Sequence, residues 1–142
     1  MPKLRRITPS LKQQPSLVAS RVAINKQRLC YILVANKKLQ YPEGRSRIAY
    51  IGTTKKGLSR VASSVAHRAD SVLRRGITSF EARIVTTPFR QRVRTWLRLE
   101  GCLLTVFHEQ FGALPKCNDK NGKPDWKRFR KHKIERIIED LS

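Results

Sequence analysis

The chain has 142 residues, enough for one domain with a single hydrophobic core of modest size. Its 31 Lys and Arg against 10 Asp and Glu give a formal net charge of +21, so nucleic acid is the first expected partner and an anionic membrane surface is the rival. No apolar run is long enough to predict a membrane-spanning helix, and three cysteines without a C-x-x-C pair argue against a disulfide scaffold or a zinc site and favour a reduced, cytoplasmic setting.

The first half of the chain predicts a basic arm followed by a β-hairpin. Residues 1–26 contain three prolines and show no steady periodicity, which indicates an N-terminal arm outside the domain. Gln27–Lys37 is rich in apolar and β-branched residues and predicts a first strand, and Ser46–Gly52 predicts a second. The polar stretch Asn36–Arg47 between them contains a proline and a glycine, so a long connecting loop is expected.

The second half predicts three helices and one more strand. Apolar residues keep helical spacing over Gly57–Arg75, and a glycine follows as a stop signal. Phe80–Thr87 alternates as a strand does, a long helix is expected from about Arg90 to Phe111, and Pro124 and Asp125 open a final helix that ends at Leu141.

The predicted order is therefore strand, strand, helix, strand, helix, helix. This order indicates an α/β fold with a small three-stranded sheet flanked by helices. The domain itself is assigned to residues 27–123, and residues 124–142 are expected to form an extra C-terminal helix that packs on it.

One acidic residue lies within the apolar face of the long helix. Glu100 follows Trp96 by four residues and precedes Leu104 by four. A carboxylate in that position must be paired, hydrogen-bonded or bound to a cation, because an unpaired buried charge is very costly. A salt bridge to an arginine and a metal site both meet this requirement, and the helix alone leaves both open. The predicted apolar face consists of Val93, Trp96, Leu97, Leu103, Leu104, Phe107 and Phe111.

Four further features occupy constrained positions around this helix. Tyr31 lies within the first strand, Tyr50-Ile51-Gly52 closes the second, Arg60 lies on the first helix eight residues after Gly52, and Asn118 follows the long helix. In this order and spacing, and together with Glu100, they resemble the GIY-YIG nuclease domain. The resemblance covers roughly residues 28–118.

The two signatures of that family are matched unequally. Tyr50-Ile51-Gly52 matches the second signature, whereas Leu29-Cys30-Tyr31 stands where Gly-Ile-Tyr is usual in the first. Many relatives place a His or Tyr one helical turn after the arginine, which corresponds to Ser64 here. His67 lies on the same helix face a turn further on and is the candidate substitute.

The resemblance implies a DNA endonuclease that hydrolyses phosphodiester bonds with one divalent metal, Mg²⁺ or Mn²⁺, per site. Glu100 would bind the metal, since Mg²⁺ typically takes one or two carboxylates with water and phosphate. Tyr31 would act as the general base for water, and Tyr50 would orient water or phosphate. Arg60 would stabilise charge in the transition state, and Asn118 would tie its loop to the site. A free phenol has a pKa of about 10, so a phenol base needs positive charge nearby.

Basic residues flank the expected site and suit salt-dependent binding to DNA phosphates. The leading alternative is a non-catalytic nucleic-acid-binding protein, either an inactive nuclease domain or a ribosome-like basic module; an RNA or membrane partner is a weaker one. Because the chain has little beyond the core to confer specificity, a dimer or a targeting partner is expected. The predicted nucleic-acid-binding residues are Lys55, Lys56, Arg68, Arg92 and Arg94.

Overall fold

The computed structural model describes residues 6–12, 15, 18, 29–54, 56–85 and 95–142, without the side chains of residues 29, 95 and 96. Three strands and three helices follow in the predicted order, so the α/β fold with a small three-stranded sheet is confirmed. The described residues of the expected arm, between 6 and 18, contain neither helix nor strand. The elements are β1 (Leu29–Tyr41), β2 (Gly44–Thr54), α1 (Gly57–Leu73), β3 (Phe80–Val85), α2 (Thr95–Phe111) and α3 (Lys131–Leu141).

The sheet is antiparallel, with β1 in the centre between β2 and β3. Alternate side chains of β1 face opposite sides of the sheet. Cys30 and Ile32 face a core shared with α2 and α3. Tyr31 and Leu33 face the other side, where Val61 of α1 covers them. The fold therefore places α1 on one face of the sheet, and α2 with α3 on the other.

The connection between the first two strands corrects the sequence prediction. The expected long loop, Asn36–Arg47, is instead continuous hairpin, in which Leu39 pairs with Ser46 and β1 ends in a two-residue turn at Pro42 and Glu43. Leu39 and Tyr41 are buried and the residue between them is exposed, which is strand alternation. The polar residues that suggested a loop occupy a register shift between Val34 and Leu39, because a bulge accommodates extra residues without ending the strand.

The apolar face of α2 agrees with the prediction except at its first turn. Leu103, Leu104 and Phe107 are buried in the main core, as expected. Leu97 is 49% exposed, so its assignment to the core face is wrong. It lies in the first turn of the helix, where no element of the described ranges covers it. Predicted helix residues 90–94 lie outside the described residues.

The last helix begins later than predicted, at Lys131 instead of Pro124. The Asp125 carboxylate accepts a hydrogen bond of 2.8 Å from Arg98 on α2, and the backbone N–H of Asp125 donates to Sγ of Cys102 at 3.1 Å. These contacts hold the segment in turns against α2. Helix α3 then packs through Ile134 and Ile138, which are buried in the core. Within the described ranges, no helix combines the length and the apolar character needed to cross a bilayer.

The loop after α2 approaches that helix at backbone distance. A Cβ built on Gly101 would lie 2.1 Å from the carbonyl oxygen of Lys123, and one built on Gly122 would lie 2.5 Å from Cα of Gly101. Because backbone atoms cannot rotate away as a side chain does, only glycine permits this contact. The two glycines thereby fix the loop next to Glu100.

We predict that Gly101→Ala destabilises the protein by about 1–3 kcal/mol, the usual cost of overpacking a tight contact. Helix propensity alone would act in the opposite direction and stabilise α2 by about 1 kcal/mol. Urea unfolding measures the net change in the free energy of unfolding. His108→Ala, at an exposed position of the same helix, serves as the control. A Gly101→Ala variant as stable as wild type would contradict the close approach of Lys123.

Candidate active site

Two tyrosine rings converge over a glycine on the α1 side of the sheet. Tyr31 pairs with Gly52 across the β1–β2 ladder, and the ring centroids of Tyr31 and Tyr50 are 5.9 Å apart. A Cβ on Gly52 would lie 2.5 Å from Cε1 of Tyr50 and 3.0 Å from Oη of Tyr31. The glycine of the Tyr50-Ile51-Gly52 signature therefore provides the space in which both phenols meet.

The hydroxyl of Tyr31 is bound to helix α1. Its Oη lies 2.6 Å from Oγ of Ser64, and either group can donate the hydrogen bond. Tyr31 is only 2% exposed, so α1 and its neighbours in the sheet cover the ring. The position where relatives of the resembled family carry a His or Tyr is thus in direct contact with the tyrosine. His67, the candidate substitute, is exposed and makes no hydrogen bond to a described residue.

Arg68 is held against Tyr50 from the same helix. Its Nη2 donates a 3.0 Å hydrogen bond to Oη of Tyr50, and its guanidinium carbon lies 3.8 Å from the ring centroid. A planar guanidinium suits stacking on an aromatic ring. The Nε of Arg68 is buried and has no hydrogen-bond partner among the described residues. Arg68, predicted as a nucleic-acid-binding residue on the polar side of α1, is half-buried next to the tyrosine pair.

The pKa of Tyr50 reflects these surroundings. Burial raises it most, and the neighbouring Tyr31 raises it further. The positive charge of Arg68 lowers the pKa of Tyr50, and the charge of Glu100 raises it. Groups from β1, α1 and α2 therefore all act on this one hydroxyl, which places Glu100 within electrostatic reach of the tyrosine pair.

Glu100 is half-buried on α2 beside the end of β2. Burial raises the pKa of its carboxyl group, and hydrogen bonding with the Thr53 side chain lowers it. Its charge also adds to the effect of burial in raising the pKa of the Cys30 thiol. Among the residues that the structure describes, none forms a salt bridge with Glu100. The arginine partner that the sequence left open is not found in this part of the chain.

Asn118 binds the free edge of β2 beside Gly52. Its Oδ1 accepts a hydrogen bond from the backbone N–H of Ile51, and its Nδ2 donates to the carbonyl oxygen of Ile51, both at 2.9 Å. The N–H of Cys117 also donates to the carbonyl oxygen of Ala49 at 2.9 Å. The loop after α2 thus extends the edge strand, and the amide of Asn118 supplies the two hydrogen bonds that a neighbouring strand would make.

The remaining predicted residues lie at the periphery or outside the described ranges. Arg60 is exposed on α1, one turn before Ser64, and forms no ion pair with a described residue. Lys56 is exposed at the start of the same helix. Lys55, Arg92 and Arg94 lie outside the described residues.

Sequence reasoning assigned no role to Ser64 or Thr53 and did not predict the contact of Arg68 with Tyr50. Arg60, Ser64 and Arg68 are spaced by four residues, which places them on one face of α1. That spacing was a usable signal for a polar row facing the tyrosines. Thr53 directly follows Gly52, but nothing in its sequence context singles it out.

The donor set near the tyrosines fits a Mg²⁺ or Mn²⁺ ion. Glu100 offers a carboxylate that no described cation neutralises, and Mg²⁺ is commonly held by one or two carboxylates with water and substrate phosphate. The described residues contain no cluster of three or more His, Cys, Asp or Glu. Glu100 would hold such an ion, because its charge acts on the Tyr50 hydroxyl.

Comparisons with known proteins find no match: no protein-family model matches the sequence, and neither a curated protein nor a solved structure is significantly similar to it. The functional interpretation consequently depends on this chain's own residues. The tyrosine pair, Arg68, Ser64 and Glu100 carry it.

We predict that Glu100→Gln is more stable than wild type at pH 8. Because burial raises the pKa of Glu100 above its ordinary value of 4.5, the ionised carboxylate opposes folding. This penalty is complete above the raised pKa and disappears below the unfolded value. Urea unfolding between pH 4 and pH 8 should therefore show a difference that grows as the pH increases.

Asp125→Asn is the control of opposite sign. The hydrogen bond from Arg98 lowers the pKa of Asp125, whose side chain is 13% exposed, so its carboxylate stabilises the fold at neutral pH. This variant should be less stable than wild type at pH 7, and the difference should shrink as the pH falls through the lowered pKa. A Glu100→Gln variant that is also less stable at pH 8 would show that Glu100 is held in an ion pair.

Proposed function

We propose that the protein is a metal-dependent DNA endonuclease of the GIY-YIG type. The observation that carries the proposal is the convergence of Tyr31 and Tyr50 over Gly52, with the Glu100 carboxylate, which no cation of the described ranges pairs with, within electrostatic reach. A packing role alone requires neither two phenols over a glycine nor a half-buried acid next to them. The residues that the resemblance assigns to the site lie on β1, β2, α1, α2 and the loop after α2, which supports the proposal.

Hydrolysis of a phosphodiester requires an activated water, an outlet for its proton and positive charge on the phosphoryl oxygens. A Mg²⁺ or Mn²⁺ ion held by Glu100 would supply a Lewis acid and positive charge at the phosphate. In this proposal the Tyr31 Oη accepts the proton of the attacking water. Tyr31 would do so as the phenolate, with the Ser64 hydroxyl donating its hydrogen bond to Oη.

The other two side chains act on the phosphate. The Tyr50 hydroxyl donates a hydrogen bond that orients water or a phosphoryl oxygen. Arg60 is exposed, so its guanidinium is free to reach a bound strand and offer a planar fork to a phosphate oxygen. Arg60 would thereby stabilise the charge that builds up in the transition state.

The charge of the whole chain supports DNA as the substrate. A net charge of +21 favours salt-dependent association with phosphates at a high rate. Such binding positions a duplex but does not read its sequence. We therefore propose a cytoplasmic, DNA-associated enzyme whose selectivity comes from a dimer or from a targeting partner.

The test is plasmid nicking in the presence of Mg²⁺. Wild-type protein should convert supercoiled DNA to nicked or linear forms, and EDTA should stop the reaction. Glu100→Gln and Tyr31→Phe should each lower the cleavage rate at least about 10²-fold, the scale expected for loss of a transition-state charge or a general base. DNA affinity, measured by fluorescence anisotropy, should remain near that of wild type.

Matched variants control for chemistry and for folding. Glu109→Gln removes an exposed carboxylate from the same helix, and Tyr41→Phe removes a phenol that bonds only to backbone groups of Ile48 and Lys116. Both should cleave at rates close to wild type at temperatures where they are folded. Full activity of Glu100→Gln or Tyr31→Phe would refute the assigned roles.

A non-catalytic nucleic-acid-binding protein is the second candidate. The observation in its favour is the 2% exposure of Tyr31, because a general base must meet a water molecule. The first signature, Leu29-Cys30-Tyr31, also departs from the family pattern. Wild-type protein that retards the plasmid but never nicks it, with either Mg²⁺ or Mn²⁺, would establish this alternative.

A further inference from the structure

Arg68 makes two contacts with the same tyrosine, and together they fix the position of its guanidinium. The guanidinium carbon lies over the Tyr50 ring, 3.8 Å from its centroid, and Nη2 donates a 3.0 Å hydrogen bond to the hydroxyl of that ring. A solvated arginine that tracks phosphates makes neither contact. The Nε of Arg68 is buried and has no partner among the described residues. This burial also distinguishes Arg68 from an arginine on an open surface.

The hydrogen bond determines which way the Tyr50 hydroxyl points. A phenol has one proton, and an arginine can only donate. Because Arg68 donates to Oη, the Tyr50 proton is left for partners on its other side. The titratable and charged groups that act on this hydroxyl are Tyr31 from β1, Arg68 from α1 and Glu100 from α2. The proton of Tyr50 is therefore available to a partner other than Arg68.

We propose that Arg68 is a positioning residue of the endonuclease site, which holds the Tyr50 hydroxyl as a hydrogen-bond donor toward the substrate phosphate. This role rests on the proposed function and deepens it. Arg68 acts through Tyr50 and does not itself bind DNA. On α1, Arg60 then acts on the phosphate, whereas Ser64 and Arg68 act on the tyrosines.

The test is a double-mutant cycle between Arg68→Met and Tyr50→Phe, with single-turnover cleavage at saturating protein. Arg68→Met should lower the cleavage rate about 10²-fold, as expected when a reacting group loses its alignment. In the Tyr50→Phe background, which lacks the hydroxyl, Arg68→Met should change the rate less than about twofold. Arg68→Lys should recover part of the rate, because one ammonium can donate to Oη but cannot stack as a fork does.

Arg74→Met is the matched control for charge. Arg74 comes directly after the same helix and is exposed. Its Nη2 lies 2.7 Å from Oδ2 of Asp70. Both variants lose one positive charge, so DNA affinity and its salt dependence should be equal for Arg68→Met and Arg74→Met, while only Arg68→Met loses cleavage. Ultraviolet titration, with the Tyr50→Phe spectrum subtracted, should show Tyr50 ionising at higher pH in Arg68→Met and unchanged in Arg74→Met.

The possible results distinguish failure of the role proposed for Arg68 from failure of the proposed endonuclease function. Arg68→Met with a wild-type rate at saturation and a lower salt slope than Arg74→Met would identify Arg68 as a phosphate contact and overturn the proposal. An equal loss in both backgrounds of the cycle would show that Arg68 acts independently of Tyr50, and would also overturn it. If wild-type protein never nicks DNA, the proposed function fails and this role fails with it. Should Arg68→Met not fold, the same cycle with Arg68→Lys in place of Arg68→Met decides the matter.

Discussion

The structure of the site depends on the space above Gly52. Any side chain at that position would overlap Tyr50 and press on the Tyr31 hydroxyl, so the two phenols meet only because this residue has no Cβ. Asn118 holds the preceding residue, Ile51, from the open edge of the sheet, and α1 closes over the rings with Ser64 and Arg68. Three separate segments thus converge on one glycine.

The arrangement around Glu100 opposes stability. Burial makes ionisation of its carboxyl group less favourable, and no described cation compensates the charge. Polar groups that are buried without compensation are expected where binding or catalysis requires them. The Nε of Arg68, buried without a hydrogen-bond partner in the described part of the chain, is a second such group in the same region. Close packing of the loop at Gly101 and Gly122 contributes rigidity next to this site.

Most of the framework was predictable from the sequence, because apolar periodicity and glycine positions act locally. The element order and the location of Glu100 on a helix followed from such signals, whereas the tie between Asn118 and its surroundings was expected from the family resemblance. The full length of the hairpin was missed because the bulge near Lys37 breaks the alternation without ending the strand. The start of α3 was missed because the Asp125–Arg98 contact is long-range. The stacking of Arg68 on Tyr50 likewise depends on how α1 crosses the sheet, which local patterns do not encode.

The central claim is that Glu100 binds a divalent metal next to the tyrosine pair. A crystal of the protein with a short duplex and Mn²⁺, measured at a wavelength where manganese scatters anomalously, locates the ion directly. The account predicts an anomalous peak at bonding distance from the Glu100 carboxylate, beside the Tyr50 hydroxyl, and no such peak in crystals of Glu100→Gln. A wild-type crystal in which Mn²⁺ binds elsewhere, while the Glu100 carboxylate contacts an arginine, would contradict it.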